Sequence, residues 1–365
     1  MSDKNPSETK IVPFQRVAVV GAGAWGTALA QCASWAGRDV VLWARRESMA
    51  ETINTRHENP ESLPAVSLAP EIRATSDLGT ALAQAEMVLL VVPSQCLREV
   101  SRQMVPMLAH RPPVVLCAKG VEFGTGALMT EVASQELPGC PLAVLSGPNF
   151  AVEVARGLPT ATTVATADES VGPRLVASLR TSAFRPYLSD DLIGAEVGGA
   201  VKNVLAIACG IAQGRALGEN ARAALITRGL VEVGRLGAAL GGRPETVMGL
   251  AGLGDLTLTC SSEQSRNMAF GIAIGRGQRQ PDILAGHHGV VEGVVNAASV
   301  TALAQLHGIE MPICEAVNHI LDEGADIDRV IRQLLERPLK IETIGAQQRS
   351  PSVDQNNDAL RDSLL

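Results

Sequence analysis

Two lysines in apolar surroundings are the residues of this chain best suited to acid–base chemistry. Only five of the 31 basic residues are lysine, so arginine carries most of the positive charge. Lys119 follows an apolar run, Val114–Cys117, and Lys202 lies early in an apolar helical run. A lysine that is desolvated beside another cation has a lowered pKa and can exchange a proton near neutral pH, whereas arginine stays protonated. The pair therefore fits proton transfer at the alkoxide formed when a ketone is reduced; the alternative is that each lysine reaches water or pairs with a carboxylate such as Glu196.

The neighbours of Lys202 indicate space for a ligand. On a helix, Gly198 and Gly199 stand four and three residues before the lysine, and Ala206 stands four after it. One side of the lysine is then bare, because residues at these spacings share a helix face. The spacing predicts a groove wide enough for a flat ring or a small substrate.

A glycine-rich segment further along the chain ends in a single acid. Gly249–Gly254 leads into Asp255, in a part of the chain whose pattern is otherwise helical. Asp255 could cap a helix or sit in a loop, or its carboxylate could accept a hydrogen bond from a substrate hydroxyl or from Lys202.

Three polar residues, Ser265, Arg266 and Asn267, precede the helical run Met268–Gly275. A helix N-terminus and a guanidinium group that meet at one spot form a phosphate site. A capped, charged helix start without a ligand is the alternative.

Glycines at three fixed positions follow the first predicted strand, Arg16–Val20. Gly21, Gly23 and Gly26 form the pattern GxGxxG, and a helical run continues to Ala36. In this setting the first glycine permits a tight turn, the second lets backbone N–H groups approach a pyrophosphate, and the third lets the helix pack on the strand. The pattern predicts dinucleotide binding, with packing alone as the alternative.

A basic pair stands where an NAD-preferring site usually carries an acid. Arg45 and Arg46 follow the second predicted strand, Asp39–Trp43, about twenty residues past the glycines. Arginine suits the 2′-phosphate of NADP(H), so the pair favours NADP(H), or use of both NADP(H) and NAD(H); exposed arginines on an ordinary surface are the alternative.

Alternating strands and helices predict a parallel sheet in the first half of the chain. The strand candidates are Arg16–Val20, Asp39–Trp43, Met87–Val92, Val114–Cys117, Leu142–Leu145, Thr160–Thr166 and Arg185–Leu188. After about Asp190 the pattern is helical. We therefore predict an α/β fold, an N-terminal Rossmann-like, doubly wound, mostly parallel sheet followed by an all-helical C-terminal domain. The predicted divisions are an N-terminal extension (1–15), a dinucleotide-binding domain (16–190), a helical substrate and catalytic domain (191–346) and a mobile tail (347–365).

Composition excludes several other classes of protein. The 365 residues are 46% hydrophobic and 19% charged, which excludes a disordered chain, and a net charge of −7 with scattered arginines argues against nucleic acid as a partner. The longest apolar run is well short of the roughly 18 residues that span a bilayer. No transmembrane segment is therefore expected. The polar start of the chain lacks the apolar region of a secretory signal, so a cytoplasmic location is expected. Seven cysteines without a CxxC pair are interpreted as small buried hydrophobes, and no metal site is expected.

Seven motifs together resemble the soluble NAD(P)-dependent glycerol-3-phosphate dehydrogenases of the bacterial biosynthetic type. They are GAGAWGTALA at Gly21–Ala30, AKG at Ala118–Gly120, SGPNFA at Ser146–Ala151, EVGGAVKNVLAI at Glu196–Ile207, GLAGLGDLTLTC at Gly249–Cys260, SRN at Ser265–Asn267 and VVEG at Val290–Gly293. The resemblance covers about Val17 to Glu342. It implies a helical domain like the C-terminal domain of 6-phosphogluconate dehydrogenase.

The resemblance implies reversible reduction of dihydroxyacetone phosphate to sn-glycerol 3-phosphate, which feeds glycerophospholipid synthesis. By this resemblance Lys202 donates and accepts the proton at the C2 oxygen, Lys119 polarises the carbonyl, and Asp255 and Asn203 orient substrate and lysine. The phosphate end would be held by Ser265, Arg266 and Asn267, with Gly147 and Asn149 near the nicotinamide and substrate. Asn149 replaces a serine that many members carry. Cofactor contacts would come from Ala24, Trp25, Arg45, Lys119, Ala151, Arg266, Val290 and Glu292, and members commonly act as homodimers, in some cases inhibited by their product.

Two other functions share some of these features. A 3-hydroxyacid or 6-phosphogluconate type of dehydrogenase also combines a nucleotide domain with a helical domain and uses a helix lysine. A protein that senses NAD(P) without turnover would bind cofactor but leaves Lys119, Lys202 and Asp255 unexplained.

Overall fold

Residues 11–108, 110–286 and 290–338 are described by the computed structural model of the protein. The tail predicted at 347–365 and most of the N-terminal extension lie outside these ranges. The strands are β1 (Arg16–Val20), β2 (Asp39–Trp43), β3 (Glu58–Asn59), β4 (Leu63–Ser67), β5 (Arg73–Thr75), β6 (Met87–Leu90), β7 (Val114–Leu116), β8 (Leu142–Ser146), β9 (Thr160–Ala165) and β10 (Phe184–Ser189).

Eight of these strands form one sheet in the order β5-β2-β1-β6-β7-β8-β9-β10. The first six are mutually parallel, β9 runs antiparallel to β8, and β10 runs parallel to β9. The strand order reverses between β1 and β6, and ligands of open α/β sheets bind at the carboxyl ends of strands beside such a point. The predicted mostly parallel, doubly wound sheet is therefore confirmed.

All seven predicted strands are present, with ends that differ by at most two residues. The prediction missed the edge strand β5 and the β3–β4 hairpin. Neither the edge strand nor the hairpin appears as an apolar run in the sequence. They are short and lie at or beyond the edge of the sheet, where side chains need not be apolar on both faces.

Helices flank the sheet and make up every described element after β10. They are α1 (Ala24–Trp35), α2 (Glu47–Arg56), α3 (Leu78–Leu82), α4 (Leu97–Met104), α5 (Met129–Glu136), α6 (Ala151–Ala155), α7 (Gly172–Leu179), α8 (Leu192–Gly214), α9 (Glu219–Ala239), α10 (Pro244–Val247), α11 (Asp255–Cys260), α12 (Arg266–Gly275), α13 (Gln280–Gly286), α14 (Glu292–Leu306), α15 (Pro312–Leu321) and α16 (Ile327–Leu335). The helical second part is confirmed, and a domain boundary near residue 190 stays a prediction that agrees with the end of β10 and the start of α8.

The helix α8 is the central element of the helical part. It is long and apolar enough to cross a membrane by length and composition, but 83% of its most apolar window is buried inside the protein. Its glycines let neighbouring backbone come close; a Cβ added to Gly210 would lie 2.3 Å from the Met268 carbonyl oxygen on α12. The apolar sequence of α8 is thus explained by burial among other helices.

The sheet and the helical part share their apolar cores. Val121 and Leu128, which follow β7, pack in the core of the helical part, whereas Ala195 and Ala251 pack in a core beneath the sheet. Residues just before β1 also pack, because Phe14 is buried and its N–H donates to Ser178 Oγ at 2.8 Å. The two parts therefore meet over a continuous interface.

The cysteines follow the predicted pattern with one clear exception. Cys32, Cys117, Cys209, Cys260 and Cys314 are buried, Cys140 is half-buried, and all seven are free thiols. Burial raises the pKa of Cys32 and Cys117 to about 12, which keeps these thiols protonated. The interpretation as buried residues is wrong for Cys96, which is exposed because it lies in a short 3₁₀ turn, Ser94–Cys96, at the surface.

Candidate active site

Lys202 projects from α8 into a buried polar contact with α11. Its Nζ donates to Asp255 Oδ1 at 2.5 Å and to Thr259 Oγ1 at 2.9 Å. Thr259 Oγ1 in turn donates to the Asp255 carbonyl oxygen at 2.7 Å, so its lone pairs face the ammonium group. The pairing with Glu196 that the sequence left open is absent from this contact, because the Glu196 carboxylate accepts the N–H and hydroxyl of Thr130 at 2.8 and 2.5 Å.

Lys119 reaches the same carboxylate from the sheet. It follows the end of β7, and its Nζ donates to Asp255 Oδ2 at 2.6 Å and to the Gly147 carbonyl oxygen at 3.3 Å. Asp255 is 1% exposed and begins α11 after a π-helical turn, Leu250–Gly254. Of the roles left open for Asp255, the structure thus supports acceptance of a hydrogen bond from Lys202, and each of its two oxygens serves one lysine.

The environment of Lys202 lowers its proton affinity. Burial is the main cause, the positive charge of Lys119 adds to it, and the negative charge of Asp255 opposes both; together they lower the pKa of Lys202 to about 8. A group with this pKa can both give and take a proton near neutral pH.

Each ammonium group keeps one N–H beyond these bonds. A lysine has three N–H donors, and the described residues accept two from Lys202 and two from Lys119. One oxygen of a ligand could therefore accept a hydrogen bond from both lysines while Asp255 holds them together.

The prediction of a groove beside Lys202 is wrong. A Cβ on Gly198 would lie 2.4 Å from the Ala251 carbonyl oxygen, and one on Gly199 would lie 3.2 Å from the Lys119 Cγ. These glycines therefore admit protein, namely the π-helical turn before Asp255 and the stem of Lys119. Their spacing brings the lysines together and leaves no room there for a ring.

The three fingerprint glycines have different surroundings. Gly21 has φ +120°, and a Cβ on it would lie 2.4 Å from the Val91 carbonyl oxygen; a Cβ on Gly26 would lie 1.8 Å from the Gly21 carbonyl oxygen. Gly23 is exposed, has no atom within 4 Å of an added Cβ, and precedes α1 without a side-chain cap. Gly21 and Gly26 are required by close packing. Gly23 instead leaves open space in front of unpaired helix N–H groups, as a pyrophosphate needs.

Several buried polar atoms near this end of the sheet also lack partners among the described residues, and two of them lie beside the fingerprint or after β8. Trp25 Nε1, on the first turn of α1, and Asn149 Oδ1, after β8, make no hydrogen bond within the described residues. The Asn149 Nδ2 is held by Thr162 Oγ1 at 3.0 Å. Because buried polar atoms are usually paired, these two fit a site completed by a bound polar group such as a dinucleotide.

The two arginines that follow β2 differ in their contacts. Arg46 forms an ion pair with Glu61. Arg45 is exposed and makes no ion pair with the described residues. Both follow the carboxyl end of β2, the strand beside β1, so Arg45 is placed where an adenosine 2′-phosphate would lie in a Rossmann fold.

The three-residue segment before the helical run starts α12 earlier than predicted. Ser265 is the N-cap, since its Oγ accepts the Met268 N–H at 3.3 Å, while Arg266 is exposed and forms no ion pair with the described residues. Asn267 is tied to its neighbours, donating to Asn203 Oδ1 at 2.9 Å and accepting the Gly293 N–H at 2.9 Å. The structure thus shows a capped helix start and, beside it, a free guanidinium.

Three cations of the site lie close enough to Glu292 to affect its carboxyl group. Burial raises the pKa of its carboxyl group, and the positive charges of Arg266, Lys119 and Lys202 oppose that rise. Glu292 begins α14, and the backbone N–H of Ser94 also opposes the rise in its pKa. The remaining predicted contacts lie at the start of α6, where Ala151 is half-buried, and just before α14, where Val290 is 48% exposed.

Sequence reasoning missed three residues of this site. Thr259 could have been found, because it stands one helical turn after Asp255. Ser94 and Asn296 carry no such signal. Asn296 contacts Lys119 across 177 residues of sequence, so only the fold brings it to the site.

Known proteins are similar to this chain in sequence and in fold. A family model described as the N-terminus of NAD-dependent glycerol-3-phosphate dehydrogenase matches residues 16–172, and one described as its C-terminus matches residues 191–332. Proteins named glycerol-3-phosphate dehydrogenase (NAD(P)+) from Parvibaculum lavamentivorans and Rhodospirillum rubrum are each 55% identical over 90% of this chain and 99% and 94% of their own length. A crystal structure of glycerol-3-phosphate dehydrogenase from Coxiella burnetii has a TM-score of 0.86 and 42% identity, and the match covers 89% of this chain and 99% of that one. The chain therefore belongs to the NAD-dependent glycerol-3-phosphate dehydrogenase family.

Proposed function

We propose that the protein interconverts dihydroxyacetone phosphate and sn-glycerol 3-phosphate with NAD(P)H, and so supplies glycerol 3-phosphate for glycerophospholipid synthesis. The observation that carries the proposal is one buried carboxylate, Asp255, that joins Lys202 and Lys119 in a protein whose first strand ends in a dinucleotide fingerprint. A protein that only sensed NAD(P) would have no need for two desolvated ammonium groups, whose burial costs free energy.

The lysines act on the substrate oxygen at C2. When bound, the nicotinamide cofactor supplies the hydride that reaches the C2 carbon of the ketone. Lys119 and Lys202 each direct their remaining N–H at the C2 oxygen and stabilise the negative charge that develops there. Lys202, with a pKa of about 8, gives its proton to that oxygen and takes it back in the reverse reaction.

The cofactor and the substrate phosphate are held by backbone and by arginine. Gly23 and the first turn of α1 accommodate the pyrophosphate, and the unpartnered Trp25 and Asn149 atoms line the same end of the sheet. Arg266, at the start of α12, binds the substrate phosphate, for which a planar guanidinium with free donors is well suited. Asn203 and Asn267 hold α8 and α12 together so that Arg266 stays at a fixed distance from Lys202.

Arg45 sets the choice of cofactor in this proposal. An Arg45→Ala variant is expected to raise the KM for NADPH roughly tenfold and to leave that for NADH nearly unchanged, because a charge-assisted bond to the 2′-phosphate is lost. Steady-state rates with each cofactor measure this. Arg46→Ala is the matched control and should change the ratio little, since Arg46 is already paired with Glu61. An unchanged NADPH-to-NADH ratio in Arg45→Ala would remove the preference for NADP(H).

Three further features belong to the proposal. The enzyme acts as a homodimer, as the family resemblance implies. It works in the cytoplasm, and the reaction uses no metal ion. The sheet (16–190) binds the cofactor, and the helical domain (191–346) supplies Lys202, Asp255 and Arg266.

The experiment that tests the function follows the absorbance of NADPH on addition of dihydroxyacetone phosphate to purified protein. Parallel reactions contain NADH, or 3-oxoacids in place of the ketone phosphate. Rapid oxidation with dihydroxyacetone phosphate alone is expected. Oxidation with 3-oxoacids would favour a hydroxyacid dehydrogenase, and cofactor binding without any oxidation would favour a sensor.

A further inference from the structure

A buried amide on α14 connects the backbones that carry the two lysines. Asn296 is 0% exposed. Its Nδ2 donates to the Lys119 carbonyl oxygen at 3.0 Å and to the Ala200 carbonyl oxygen at 3.2 Å. Lys119 is one of the two lysines, and Ala200 precedes Lys202 by two residues on α8. One planar group therefore ties the end of β7 to the helix of Lys202.

The oxygen side of this amide lies close to Gly120 and Ser94. A Cβ added to Gly120 would lie 2.8 Å from Asn296 Oδ1 and 2.6 Å from Ser94 Oγ. Asn296 Oδ1 has no hydrogen-bond partner in the described residues. An unpaired buried oxygen costs free energy, so the two bonds donated by Nδ2 must hold the amide in place against that cost.

The separation of the two backbones matters because the lysines share one acceptor. Lys202 and Lys119 lie 2.5 and 2.6 Å from the two oxygens of Asp255, so movement of β7 against α8 lengthens at least one of these contacts. A displacement of about 1 Å in a catalytic group can cost on the order of a hundredfold in rate.

We propose that Asn296 is a positioning residue that sets the distance between Lys119 and Lys202 around Asp255. It acts through the backbones that carry the two lysines, to which both hydrogen bonds of its Nδ2 run. The inference rests on the proposed ketone reduction. It adds to that reaction a residue on a third element, α14, whose first residue, Glu292, lies beside the same cations.

The test compares Asn296→Ala and Asn296→Ser with the wild-type enzyme in the reduction of dihydroxyacetone phosphate. For both variants we expect kcat to fall roughly ten- to a hundredfold, the KM for the ketone to change less than threefold, and the NADPH Kd, from cofactor fluorescence, to stay within twofold. The high-pH limb of kcat, which is the fall in rate as Lys202 loses its proton, should also move to a different pH. The reason is that the pKa of Lys202 depends on its distance from Lys119 and Asp255. A residue that only supported the fold would lower the melting temperature without moving this limb.

Ser299→Ala is the matched control. Ser299 is buried on the same helix, but its Oγ donates only to the Val295 carbonyl oxygen of its own helix, at 3.3 Å, so the variant should keep wild-type kcat. An inactive wild-type protein would overturn the proposed function and this inference with it. With an active wild type, the inference alone is overturned if either folded Asn296 variant keeps kcat within twofold, if the pH limb stays in place, or if neither variant folds.

Discussion

Replacement of Lys202 by methionine is expected to lower kcat for ketone reduction by roughly 10²–10⁴-fold, the usual contribution of a positioned acid. Methionine fills a similar volume but has no proton to give. The affinity for NADPH should change little, since the described contacts of Lys202 are to Asp255 and Thr259 and the fingerprint lies elsewhere. Rapid-quench or steady-state kinetics, together with cofactor fluorescence, separate the two effects.

The same lysine predicts opposite pH dependence in the two directions. Burial and Lys119 lower its pKa to about 8, and reduction needs the protonated form. The kcat for reduction should therefore fall as pH rises through about 8, while the kcat for oxidation, which needs the neutral amine as base, should rise over the same interval. In Lys202→Met both limbs should disappear from what activity remains.

Lys202→Arg serves as the control for charge. Arginine keeps the positive charge but stays protonated, so this variant should also be slow and should lack the limb near pH 8. A Lys202→Met enzyme with nearly wild-type kcat and a raised KM would contradict the acid–base role and leave Lys202 as a binding residue.

Much of the fold could be predicted because parallel strands covered on both faces must be apolar along their whole length. This is why Met87–Leu90 and Val114–Leu116 were found, whereas β5, with the sequence Arg-Ala-Thr, was not. Local patterns indicate that a segment is buried, and β5, with three residues, is too short and too exposed to produce such a pattern.

The site could be predicted only as far as residue type and local spacing reach. Lys119 and Lys202 were found because lysine is rare in this chain and apolar surroundings are unusual for it. Spacing around Lys202 showed which side of the helix is bare, but the backbone that fills that side, at Ala251, comes from 53 residues beyond Gly198. Asn296 could not be found in this way, since its function depends on contacts that exist only in the folded protein.

Asp255→Asn is expected to have the other large effect, because it removes the only acidic partner that the described residues give to either lysine. Asparagine has nearly the same shape, so packing is kept and the charge alone is lost. Without the negative charge the two ammonium groups repel one another, and the pKa of Lys202 should fall by a further 1–3 units or so, the usual effect of one close charge. The high-pH limb of kcat for reduction should move down by that amount. Because half of Lys202 is protonated at pH 8 in the wild type, the variant should be roughly five- to five-hundredfold slower at that pH.

The stability of Asp255→Asn should depend on pH with a definite sign. Removing one partner of a buried ion pair costs about 3–5 kcal/mol while the other charge stays buried. Lys202 in the folded variant releases its proton well below the ordinary value of 10.5 that applies to the unfolded chain, so the unfolded state binds more protons and the free energy of unfolding rises with pH. The deficit against wild type, measured by urea unfolding, should therefore be greatest at pH 6 and shrink toward pH 9.

Asp191→Asn separates this effect from a general loss of a buried carboxylate. Asp191 is also buried, but it caps α8 through the Gly194 N–H at 2.9 Å and contacts neither lysine, so its variant should be less stable without any shift of the kcat limb. If Asp255→Asn lost stability to the same extent at every pH and kept the limb near pH 8, Asp255 would be a helix residue that happens to lie between two lysines. The lowered pKa of Lys202 would then be set by burial and the charge of Lys119, without an opposing effect of Asp255.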